Sequence, residues 1–109
     1  MSLFADYINE RGTKHIVESD KGFATYLFDS GLCYIEDLYV VPEHRKSGEA
    51  SRLADEISNI AKKKGCRQLL GSVVPTANGS TDSCKVLFAY GFRLLKTEHN
   101  QIWFIKDLE

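Results

Sequence analysis

The sequence predicts an α/β protein, a central mixed sheet flanked by helices in the order β-β-β-α-β-α-β-β. Three observations lead there. Short apolar runs separated by Ser-Asp-Lys-Gly and Asp-Ser-Gly turns read as an antiparallel meander. One long amphipathic helix then lies between two strand-like runs, which makes a βαβ crossover and so a parallel pair. Two last strand-like runs meet at His99-Asn100 and return the sheet to antiparallel pairing.

Each element has its own warrant. Phe4–Glu10 reads as a short helix closed by Arg11-Gly12. Thr13–Glu18 alternates weakly as a first strand, Ser19–Gly22 is a turn, and Phe23–Phe28 is the second arm. Asp29-Ser30-Gly31 turns the chain into a longer third strand, Leu32–Val41, stopped by Pro42. From Gly48 to Lys64, the residues Ala50, Leu53, Ala54, Ile57, Ile60 and Ala61 recur at three- and four-residue steps and make one apolar stripe. Lys62-Lys63-Lys64 falls where the helix dipole is negative, and Gly65 ends the helix. Gln68–Val74 is a fourth strand ended by Pro75, and Thr76–Thr81 is a polar loop. Asp82 or Ser83 caps a further helix that runs to Tyr90 and stops at Gly91. Phe92–Thr97 and Gln101–Lys106 close the chain as a hairpin. With no linker and no internal repeat, the whole of 1–109 reads as one domain, a size that suits a single compact unit.

Composition excludes several classes. Fourteen basic residues against 15 acidic ones give a net charge of −1, which argues against wholesale nucleic-acid binding. The Lys62–Lys64 run with Arg67 reads as a solvated helix end. No apolar run is long enough to cross a bilayer, so no membrane partner is expected. The opening MSLFADYINERG carries acids where a secretory signal has its apolar segment. Cys33, Cys66 and Cys84 are widely spaced and form no CxxC pair, so neither a metal nor a disulfide framework is expected. Reduced thiols fit a cytoplasmic location.

The stretch Tyr34–Ala50, YIEDLYVVPEHRKSGEA, is the richest in chemistry. A buried strand ends at Val41-Pro42, a basic loop containing Gly48 follows, and a helix begins. Free N–H groups and the positive dipole end at that helix start favour an anion, and small residues let a backbone come close to it. A phosphate-bearing ligand is the inference.

This pattern resembles the GNAT superfamily, the acyl-CoA-dependent N-acyltransferases. Arg45, Gly48 and Ala50 match the spacing of that family's cofactor loop. The preceding strand Ile35–Val40, the approach Pro42-Glu43-His44-Arg45 and the corner Tyr90-Gly91-Phe92 match as well. The resemblance runs from Tyr34 to about Phe92. It implies acetyl-CoA (coenzyme A) as cofactor, its pyrophosphate held by Arg45, Lys46, Ser47, Gly48, Glu49 and Ala50. Leu38, Tyr39, Val40 and Val41 would bond the pantetheine amides like an added strand, in a splay between this strand and Gln68–Val74. Ser83 and Cys84 would be outer contacts. The implied reaction is direct attack by a primary amine, either a small molecule or a protein lysine or N-terminus, in a ternary complex without a covalent enzyme intermediate.

Glu36, nine residues before Arg45, matches a strand position that supplies a base, and Asp37 reads as a structural acid. Strand alternation puts the two on opposite faces unless a bulge intervenes. The chain departs from the family pattern at three places. Glu49 stands where an apolar residue is usual, its carboxylate facing solvent or the helix dipole. Leu87 stands where a tyrosine usually protonates the leaving thiolate, and Ser80 where an Asn is usual. Tyr90, Tyr26, Tyr34, Tyr39 and water remain as proton sources. These departures keep open an alternative reading, a catalytically weak acyl-CoA-binding or protein-interaction module.

Family members usually carry another strand and two helices before the first hairpin, whereas twelve residues precede Thr13. The acceptor groove is therefore expected to be open or completed by a second subunit. Trp103 and Phe104 alternate on the last strand, so one points outward and suggests a homodimer contact through the C-terminal strands. His44 reads as a solvated loop residue and His99 as a hairpin tip.

Overall fold

Ser2 begins the part of the chain that the computed structural model describes, residues 2–109; residue 1 of the expected domain lies outside the described residues. The Ser2 Oγ accepts the Ala5 N–H at 3.0 Å and caps helix α1 (Leu3–Arg11), which ends on Gly12 at φ +75°. Strands β1 (His15–Glu18), β2 (Gly22–Asp29) and β3 (Leu32–Val40) form the antiparallel meander. Helix α2 (Glu49–Lys63) crosses to β4 (Gln68–Val73), which runs parallel to β3. Helix α3 (Ser80–Tyr90) leads to the hairpin β5 (Arg93–Glu98) and β6 (Gln101–Asp107). The six strands lie in the order β1-β2-β3-β4-β6-β5. The expected class, the mixed sheet and the element order all hold, and the short helix expected over Phe4–Glu10 stands in front as α1.

Alternation divides the sheet into two faces. Ala24, Cys33, Leu69 and Phe104 are buried on one, in a cluster with Leu53, Ile57 and Ala61 of α2, which are fully buried at four-residue steps. Burying Leu53 or Ile57 is worth about 1.5–3 kcal/mol each. Phe23 alternates with Ala24 and so faces the other way, where Phe4 of α1 packs on it with ring centroids 5.0 Å apart. Helices α2 and α3 therefore cover one face, while α1 covers part of the other.

Some boundaries differ from expectation for local reasons. Helix α3 starts at Ser80, ahead of the Asp82 and Ser83 expected to cap it. Gly79 takes the cap position at φ +79°, where a glycine turns the chain without a side-chain oxygen, and the loop from Thr76 is shorter as a result. The β5–β6 turn has His99 at φ +52° and Asn100 at φ +60°, the two left-handed residues that a two-residue hairpin of this twist requires. On β6, Phe104 is buried against Phe88, and Trp103 packs on Tyr34 with centroids 5.6 Å apart instead of standing free. The large exposed apolar residues of the C-terminal hairpin are Leu94 and Leu95 on β5.

Candidate functional site

The site is built where β3 leaves its parallel neighbour. Pairing between β3 and β4 runs from Leu32–Gln68 to Ile35–Gly71 and stops, although β3 continues to Val40 and β4 to Val73. From Glu36 onward β3 is paired with β2 on one side only, and its other edge is open. Leu38 and Tyr39 are both exposed. The register with β2 also breaks at this point: Thr25 opposes Asp37 and Tyr26 opposes Ile35, leaving Glu36 as an extra residue. This is a β-bulge, which re-aims a side chain and interrupts alternation. Asp37 accepts the Thr25 hydroxyl at 3.2 Å. Glu36 receives the ammonium of Lys14, a partner 22 residues away that no local pattern reveals.

The strand leads directly into the loop. Pro42–His44 makes one 3-10 turn, and the Arg45 Nε–H then donates to the Val40 carbonyl at 2.8 Å with its guanidinium 5.6 Å from the Tyr39 ring centroid. Ser47 donates to the His44 carbonyl. Lys46 at φ +62° and Gly48 at φ +90° bend the main chain, and among the described residues none but the chain neighbours of Gly48 comes within 4 Å of where its Cβ would stand. Helix α2 has no side-chain cap; its first bond in the ladder is from the Arg52 N–H to the Gly48 carbonyl at 3.0 Å. The N–H groups of Glu49, Ala50 and Ser51 therefore precede the ladder, at the positive end of a 15-residue helix. An open strand edge, an uncapped helix start and free room at Gly48 fit a phosphate joined to an amide-bearing arm.

The Glu49 carboxylate is turned into the protein, not into solvent. It accepts from Arg52 at 2.9 and 2.7 Å and from Ser19 Oγ at 2.6 Å. Those bonds, Arg52 first, hold its pKa down at about 2. The acid is thus neutralised by its own partners while its backbone N–H stays at the helix start.

The hydroxyls expected as proton sources are dispersed. Leu87 packs on the sheet, with a Gly71 Cβ position 3.5 Å from its Cδ2. Tyr90 donates to Asp55 at 2.6 Å and shares a bond with Ser58 at 3.1 Å; burial first, then Asp55, pushes its phenol up to about 12. Tyr26 is buried in the core, which also raises it. Tyr34 shares a 2.9 Å hydrogen bond with Ser72, which tethers β3 to the first β4 residue beyond the paired segment. Its hydroxyl lies at the mouth of the splay. Ser83 is exposed on α3, and Cys84 packs half-buried against the core. Cys33, Cys66 and Cys84 are free thiols, with Cys33 pushed by burial to about 12. A depression between the β2–β3 turn and the end of α2, lined by Phe28, Gly31, Lys64 and Cys66, lies at the far end of β3 from the loop and holds none of the candidate residues.

A family model described as the acetyltransferase (GNAT) family matches residues 4–92, more than three quarters of the chain. The chain belongs to the GNAT acetyltransferase family. Among curated relatives, thialysine N-epsilon-acetyltransferase of Bos taurus is 38% identical over 73 residues, 62% of this chain and 43% of that protein. The Sus scrofa protein of the same name is 36% identical over 56 residues, 51% of this chain and 33% of that protein. This GNAT chain therefore spans less than half the length of the curated relatives it matches. Among solved structures, the paia N-acetyltransferase of Thermoplasma acidophilum, in complex with coenzyme A, superposes with a TM-score of 0.78. It is 19% identical, over 96% of this chain and 68% of that one. A Bacillus subtilis acetyltransferase in complex with CoA gives 0.72 at 18% identity, over 95% and 84%. At these identities the structural likeness is one of fold.

Proposed function

We propose that this GNAT chain is an acetyl-CoA-dependent N-acetyltransferase that delivers an acetyl group to a primary amine by direct attack in a ternary complex. The observation that carries the reading is the parting of β3 from β4 after Ile35–Gly71, with the bulged Glu36 at its apex and the uncapped start of α2 at its far end. Acetyl-CoA supplies a thioester carbonyl to the amine. The open edge from Leu38 to Val41 takes the pantetheine amides as an added strand, and the N–H groups of Glu49 and Ala50 take the pyrophosphate. Arg45, Lys46 and Ser47 border it, and Gly48 leaves the main chain accessible. Glu36 accepts the proton that an ammonium must lose before attack. The Tyr34–Ser72 pair offers the hydroxyl at the splay for the departing thiolate, a role water also fills. Ser83 remains an outer contact in this reading.

The acceptor is a primary alkylamine, the class to which the ε-amine in the relatives' name belongs. Small amines and protein lysines or N-termini are both within that class. The free thiols support a cytoplasmic setting. The exposed Leu94 and Leu95 support a homodimer through the C-terminal strands.

Two variants test the assignment. Gly48→Val forces a β-branched residue to φ +90° and should abolish acetyl-CoA binding in titration calorimetry. Unaltered affinity refutes the loop assignment. Glu36→Gln should lower kcat by about 10²-fold or more with little change in coenzyme affinity. Leu87, at the usual proton-donor position, favours a second reading: a catalytically weak acyl-CoA-binding or protein-interaction module. Thermal stabilisation by acetyl-CoA, without thiol release on adding thialysine, lysine, polyamines or lysine peptides, selects that module.

A further inference from the structure

Lys14 has no part in the proposed acetyl transfer, yet its ammonium is on the Glu36 carboxylate. Two features fix it there. Gly12 ends α1 at φ +75°, and β1 begins at His15, paired with Tyr26, immediately after Lys14. The same β2 segment carries the Thr25–Tyr26 register break that makes Glu36 protrude. Both side chains remain partly exposed, 36% for Lys14 and 28% for Glu36, so the contact lies at an accessible rim. A protonated alkylamine on a carboxylate is the arrangement an acceptor must adopt before it loses its proton. The chain supplies one itself.

We propose that Lys14 is an acyl acceptor, modified on Nζ by a coenzyme A thioester held on the same chain. The inference rests on the reading of Glu36 as the base and of the splay as the thioester site. From Val41 to Glu36 is a five-residue step of extended backbone, roughly 17 Å, a length comparable with an extended pantetheine arm. A thioester seated along that edge from the α2 start therefore reaches the bulge. The ammonium proton of Lys14 passes to Glu36, and the neutral nitrogen forms the C–N bond to the acetyl carbon. The C–S bond of the thioester breaks, the nitrogen's second proton passes through water to the departing thiolate, and Glu36 returns its proton to solvent. The Glu36 hydrogen bond raises the Lys14 pKa, so the amine rests there as the ammonium and must give up a proton before it attacks. Acetylation removes the Lys14 charge and with it the ion pair, leaving Glu36 free for an outside amine.

The test is site-resolved mass spectrometry of the full chain incubated with acetyl-CoA. Lys14 should be acetylated on the order of 10²-fold faster than the exposed Lys62 and Lys63, with a rate constant independent of protein concentration. Glu36→Gln should erase that advantage and bring Lys14 down to the rate of Lys62. In the coenzyme-free chain, the Lys14 ammonium protons should give a slowly exchanging NMR resonance that Glu36→Gln removes. Lys14→Arg, which keeps the charge, controls for folding and should show no modification at position 14. Equal rates at Lys14 and Lys62, an advantage that survives Glu36→Gln, or a rate that rises with protein concentration overturns the proposal. Calorimetry and thiol release on the same samples separate the two levels. Turnover of an added amine with Lys14 unmodified refutes self-acylation alone, whereas failure to bind acetyl-CoA removes the site reading as well.

Discussion

Glu49 places a negative charge at the helix start proposed to receive a pyrophosphate, and three donors from Arg52 and Ser19 absorb it. Because its folded pKa of about 2 lies below the ordinary 4.5, the carboxylate contributes stability that is fully present above pH 4.5. That contribution is lost as pH falls from 4.5 towards 2. Thermal melts across this window should show a steep loss of Tm in the wild type and a flatter one in Glu49→Gln, which starts lower at neutral pH. An identical acid slope in both would mean that the Ser19 and Arg52 bonds are not made in solution. Single positions of this kind were the least legible in sequence. Glu49 could be placed in the first turn of a helix, but its partner Ser19 lies 30 residues away in a turn, and no local pattern joins them. The same holds for Lys14 and Glu36. Tyr90 was legible as the last residue of α3 before Gly91, but its bonds to Asp55 and Ser58, which tie it to α2, were not.

Strands, turns and helices were read well, because each is written in local chemistry. The α2 stripe is periodic, Gly91 ends α3, and His99-Asn100 forms the hairpin tip. What escaped was the bulge at Glu36. A register break belongs to a pair of strands and leaves no mark on either alone, so alternation had to leave the Glu36 and Asp37 faces open. The meander that carries the bulge depends on a close approach at Gly22. A Cβ there would stand 2.2 Å from the Tyr39 carbonyl oxygen and 3.0 Å from the Val40 Cα, both main-chain atoms that cannot swing away. Gly22→Ala should therefore push β2 from the end of β3 and cost about 1–3 kcal/mol in urea denaturation. Acetyl-CoA affinity should fall with it, since the displaced segment is the proposed pantetheine edge. Unchanged stability would refute the close approach of the two strands at Gly22.

At the scale of the whole molecule, surface area carries the information. A monomer of 12.3 kDa is expected to expose roughly 6,100 Å². This chain exposes 7024 Å², an excess of about 900 Å², close to the roughly 800 Å² per partner of an ordinary protein interface. All six residues of β5 are exposed, as is Phe88 of α3. The sequence suggested the C-terminal strands as a contact but named Trp103 or Phe104, since it could not show that Tyr34 and Phe88 already cover those rings. Sedimentation should find twice the chain mass for the wild type and single-chain mass for Leu94→Glu with Leu95→Glu. A wild type that stays single at tens of micromolar removes this interface. The parted strands have a consequence of their own. In heavy water, the main-chain amides of Asp37 to Val40 that face the gap should take up deuterium within seconds, while their neighbours bonded to β2 stay protonated far longer. Any molecule that lies down in the gap writes its outline as an alternating, every-second-residue slowing along that strand, so its seat can be mapped before its chemistry is known.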